Sequence, residues 1–121
     1  MIAFETWLPQ ILGYCELICD DSALRRAWIE HDTSGTSVTD FDELYEQIFD
    51  DLDSGFFQTE LSKYLPDRGE MNTALSNFLE SLRQVDRERT ATIELRDPWT
   101  LLASEQWGVL RDAAQAVLNS N

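Results

Sequence analysis

From Asp40 to Asp53 the chain reads DFDELYEQIFDDLD, with seven acidic residues among fourteen and no basic one. At about 100° per residue, Phe41, Leu44, Tyr45, Ile48, Phe49 and Leu52 fall on one broad arc of a helical wheel. Asp42, Glu43, Glu46, Asp50 and Asp53 fall on roughly the opposite third. One face is built to enter a core, and the other is a stripe of carboxylates. The lysines and arginines that normally interleave with acids on a solvated helix are missing from this segment. Like charges one turn apart repel, so the stripe weakens its own helix.

The rest of the chain reads as helices of the same kind. Residues 2–19 are mostly apolar, and Pro9 implies either a start near Leu8 or a kink. A short helix is expected from Ala23 to Glu30, capped by Ser22. DTSGTSV, residues 32–38, is a turn-rich loop, and Ser37 or Thr39 is a candidate cap for the acidic helix. Ser54-Gly55 reads as its stop. Another short helix is expected over 56–65. Asp67 and Glu70 have capping-box spacing. Met71, Ala74, Leu75, Phe78, Leu82 and Val85 then mark a helix with a clear apolar stripe. DRER, residues 86–89, reads as a charged break, and TATIEL, residues 90–95, as an extended connection. Asp97-Pro98 starts a turn, and Ser104 caps a last helix that turns Trp107, Leu110, Ala114, Val117 and Leu118 inward. The expected fold is all-α: one domain, residues 1–121, a bundle of four to six helices with one short extended segment at 90–95.

A chain of 121 residues with 43% apolar side chains can bury a sizeable core. Its net charge of −14 disfavours nucleic acid and anionic membrane surfaces and favours a basic partner. No stretch approaches the roughly 20 apolar residues that span a bilayer. The N-terminal MIAFETWLPQ lacks the basic region of a signal peptide, so a cytoplasmic location is expected. Cys15 and Cys19, one helical turn apart, are expected as reduced, packed thiols. Two thiols without matching ligands make a poor metal site, and no cofactor is expected.

Catalytic motifs are weak. DDLDSG fails as a calcium loop, because placing Gly55 at loop position six puts Leu52 and Leu61 where oxygen ligands are needed. His31, the one histidine, has acids beside it but no nucleophile motif. No phosphate-binding glycine loop is present. Trp7 and Trp107 lie on apolar helix faces and belong in a core. Trp28 and Trp99 are open to either core or interface.

The distribution of charge points to binding. Ten acids and no Lys or Arg occur from Ala27 to Ser62. A helix over 40–53 is about 21 Å long, one carboxylate per roughly 3 Å. That density approaches the phosphate spacing of a DNA strand, about 3.4 Å. FDELYEQIFDDLD and the C-terminal EQWGVLRDAAQAVL, on a small acidic helical chain, resemble the immunity proteins of bacterial toxin systems, including contact-dependent growth inhibition. The resemblance implies a non-enzymatic protein that binds a cognate toxin, often a nuclease with a basic cleft, and covers its active site. Alternatives are a phage-type mimic of nucleic acid and a helical adaptor or structural subunit. The candidate partner-binding residues are Asp42, Glu43, Glu46, Asp50, Asp53, Trp28 and Asp32, with no catalytic and no metal-binding residue.

Overall fold

The computed structural model describes residues 2–121. Three long helices form its frame: α1 (Phe4–Cys19), α6 (Gly69–Ala91) and α8 (Glu105–Ser120). Both α1 and α6 pack against α8. The face of α8 that they share is Trp107, Leu110, Ala114 and Val117, all fully buried. Shorter helices complete the bundle: α2 (Asp21–Trp28), α3 (Phe41–Glu46), α4 (Ser54–Thr59), α5 (Leu61–Tyr64) and α7 (Pro98–Leu102). The fold is all-α, and no strand occurs among the described residues. The α-helix count reaches eight because residues 56–65 divide between α4 and α5, and because the Asp97-Pro98 turn opens α7.

Side-chain caps set four of the eight α-helix starts. Ser104 Oγ accepts the Trp107 amide at 3.1 Å, and Asp97 accepts the Thr100 amide at 3.0 Å ahead of Pro98 at the first helical position. Two expected caps move. Asp20, not Ser22, caps α2 by accepting from the Ala23 amide. Asp40, not Ser37 or Thr39, caps α3 by accepting from the Glu43 amide at 2.8 Å. In both places a carboxylate supplies an acceptor and a negative charge at the positive end of the helix dipole. The Asp67–Glu70 capping box does not form; Arg68 precedes α6 without a side-chain cap. Pro9 lies inside α1, which begins before it at Phe4.

The break at 86–89 and the extended segment at 90–95 are both corrected. Helix α6 runs through DRER to Ala91, and a 3₁₀ turn (Ile93–Arg96) follows. The charges do not end the helix because its buried stripe extends to Val85 and Arg89 is held from outside by Asp42.

The acidic segment is helical but irregular. Helix α3 passes into a π-helical turn (Gln47–Asp51), in which the Leu52 amide donates to the Gln47 carbonyl five residues back. Asp53, in the left-handed region at φ 52°, ends the element one residue before the expected Ser54-Gly55 stop. Gly55 lies inside α4. Phe41, Leu44, Ile48 and Leu52 are buried. Burying side chains of this size gains about 1.5–3 kcal/mol each. Repulsion within the stripe costs only about 0.2–0.5 kcal/mol per pair, so packing wins. Phe41 meets Trp107 edge-on at 6.3 Å, and Trp107 meets Trp28 at 5.5 Å, which ties the acidic helix to α8 and α2.

Candidate protein-binding surface

The structure turns the stripe outward as the wheel requires. Asp42, Glu46, Asp50 and Asp53 are exposed, and Glu43 is half-buried. Asp51 is exposed as well. On a regular α-helical wheel it falls outside the stripe. The π turn advances less per residue than an α-helix, so it carries Asp51 round towards Glu43. Both carboxylates act on one group: the Tyr14 hydroxyl is pushed above its ordinary pKa by burial first, then by the charges of Asp51 and Glu43.

The acids are not equivalent. Asp42 accepts from Arg89 Nη1 at 2.9 Å, an ion pair across 47 positions of sequence. The Arg89 guanidinium also lies 4.8 Å from the centre of the Phe41 ring. The described residues contain two further ion pairs, Asp21–Arg25 and Glu80–Arg83. Glu43, Glu46, Asp50, Asp51 and Asp53 therefore have no cation among the described residues within ion-pair distance. Glu43 accepts from the Gln47 amide at 3.0 Å, and Gln47 Oε1 accepts from the Tyr14 hydroxyl at 2.7 Å.

Asp32 lies on the exposed loop between α2 and α3. Its carboxylate accepts from the Ser34 hydroxyl at 2.8 Å and the Ser34 amide at 3.2 Å. These bonds, the hydroxyl's first, hold it below the usual carboxylate range, with a further push from Arg26. Gln47 Nε2 reaches Ser37 of the same loop at 3.4 Å, so loop and acidic helix adjoin.

Trp28 is not a surface residue, and its place among the binding candidates is corrected. It is 3% exposed, and its indole N–H donates to the Val38 carbonyl at 3.1 Å. The bond satisfies its polar end inside the core. Trp99 is 58% exposed, with the Arg25 guanidinium 5.1 Å from its ring centre. Tyr14, Gln47, Asp51 and Arg89 belong to the surface but were not among the sequence candidates.

No group of three or more His, Cys, Asp or Glu side chains among the described residues is gathered as a metal ion would need. No helix is long and apolar enough to cross a membrane. Comparison with models of protein families, with curated proteins and with solved structures finds no match.

Proposed function

We propose that this chain is a non-catalytic cytoplasmic binding protein that captures a basic protein partner on its acidic helix. Its sharpest form is an immunity protein that covers the active site of a cognate nuclease toxin. The observation that carries the reading is a run of five carboxylates, Glu46, Asp50, Asp51 and Asp53 exposed and Glu43 half-buried, with no cation among the described residues within ion-pair distance of them. Such a field accelerates encounter with a basic surface and repels acidic competitors. Asp42 contributes less than its neighbours, because Arg89 already neutralises it. Asp32 extends the negative surface onto the adjoining loop.

The test is association kinetics with the basic partner that the chain captures in a pull-down from its host. Wild type should bind rapidly at low salt and more slowly as salt rises. A Glu43→Gln, Glu46→Gln, Asp50→Asn, Asp51→Asn, Asp53→Asn variant should lose on-rate. An unchanged on-rate in that variant excludes the stripe as the binding surface.

A further inference from the structure

Beside the acidic helix runs a concave surface that the reading above leaves unused. Gln10, Gly13, Tyr14 and Leu17 of α1 form one wall. Gly35 to Val38 and Gln47 line the rest, and the open groove holds about 370 Å³. A second groove of about 260 Å³ shares Leu17, Gly35 and Thr36 with it and extends to Arg26, Asp32 and Ser34. Two exposed glycines line it. A Cβ on Gly13 or on Gly35 would meet nothing within 4 Å, and neither residue has a positive φ. The missing side chains therefore shape the space and are not required by the backbone.

We propose that this groove seats an arginine-bearing segment of the basic partner and anchors the interface that the acidic helix attracts. The proposal rests on the binding function inferred above and locates its specific contact. Charge names the occupant. Glu43 and Asp51 stand just behind the lining: Glu43 is bonded to Gln47, both acids act on Tyr14, and neither has a cation among the described residues within ion-pair distance. A cationic segment is drawn in and an anionic one repelled. The distribution of acceptors selects arginine over lysine. The acceptor oxygens adjoin one another: Gln47 Oε1, which accepts from the Tyr14 hydroxyl, the Tyr14 phenolic oxygen itself, and the Ser37 hydroxyl and carbonyl oxygens, which accept from Gln47 Nε2. A planar guanidinium with five donors can span several of these, whereas an ammonium serves one point. The second groove gives the flanking backbone room and places Asp32 within its reach.

The full chain, labelled with nitrogen-15, is titrated with nona-arginine, nona-lysine and nona-glutamate peptides. The Gly13 and Gly35 amide signals and the Gln47 side-chain amide should move saturably with nona-arginine, at lower concentration than with nona-lysine, and not with nona-glutamate. Gly13→Trp fills the groove without altering charge and should weaken nona-arginine by about tenfold, as loss of one charge-assisted anchor implies. Gly35→Trp fills the same space from the opposite wall and replaces it if α1 rejects the larger residue. Gly69→Trp, whose added side chain also meets open space but at the start of α6, should bind as wild type does. A Glu46→Gln, Asp50→Asn variant, altered outside the groove, should weaken both cationic peptides. Undiminished binding in the groove-filled variants, with loss in the charge variant, overturns the groove and leaves the acidic surface standing. If neither kind of variant changes binding, both readings fall.

Discussion

The Trp7 indole N–H donates to Ser54 Oγ at 2.9 Å, and the Ser54 hydroxyl donates on to the Ile48 carbonyl. The π turn creates the need for this relay. The Leu52 amide, which an α-helix would give to Ile48, goes to Gln47 instead. Ser54 is the one buried polar residue described, and it satisfies both groups. Ser54→Ala should cost about 1–3 kcal/mol for each group left unpaired, read from urea unfolding. A loss under about 0.5 kcal/mol, the range of a surface change, would show that the relay is dispensable.

The stripe and its one paired member should respond with opposite signs. Glu46→Gln and Asp50→Asn relieve repulsion and should stabilise by about 0.2–0.5 kcal/mol per relieved pair. Asp42→Asn removes the carboxylate that holds Arg89. Asp42 is 74% exposed and Arg89 14%, so the loss should be modest, under about 1 kcal/mol. Thermal melts at low and high salt check this: salt should shrink the gains at Glu46 and Asp50.

Asp53 holds a left-handed conformation and forms no side-chain cap for α4. Glycine takes that conformation without steric cost. Asp53→Gly and Asp53→Ala remove the same charge, so their difference isolates the backbone. The glycine variant should be the more stable by about 1 kcal/mol, and equal melting temperatures would contradict the strain.

Stability should fall on the alkaline side. Burial first, then the nearby Cys19 and Glu16, push the Cys15 thiol well up, and burial raises Tyr14 and Tyr45. A raised value means that the fold holds the proton longer than the unfolded chain does. The contribution is complete below the unfolded value, about 8.5 for Cys and 10 for Tyr, and is lost as pH climbs past it. Urea midpoints should decline from about pH 8.5 upward. Cys15→Ala should lower the midpoint at neutral pH through lost packing, yet flatten the first part of that decline. An unchanged slope would remove Cys15 as its cause.

What the sequence disclosed was local. Ser104 announces its helix because a cap is a matter of three or four residues, and the Met71–Val85 stripe repeats with the helical period, whereas Asp97-Pro98 reads only as a turn and caps α7. The extension of α6 through Arg89 was hidden, since it depends on Asp42, 47 positions away. The π turn was hidden for the same reason: its stabilising hydroxyl and indole come from Ser54 and Trp7. Asp51 is therefore missing from the stripe that a regular wheel draws. Trp28 looked ambiguous because the acceptor for its N–H, the Val38 carbonyl, is supplied by the fold of a loop. The groove between α1 and that loop has no signature in sequence, for Gly13 and Gly35 are each unremarked alone.

The burial of the tryptophans makes the chain its own optical probe. Trp7, Trp28 and Trp107 are 0%, 3% and 0% exposed, while Trp99 stands in solvent under Arg25. Emission from the folded protein is a sum of three shielded, blue-shifted fluorophores and one wet, red-shifted one. Acrylamide, which carries no charge, reaches the exposed Trp99 first. A Trp99→Phe version would emit only from the interior, so its colour shift on denaturation would follow the opening of the core, with no surface dye or tag attached.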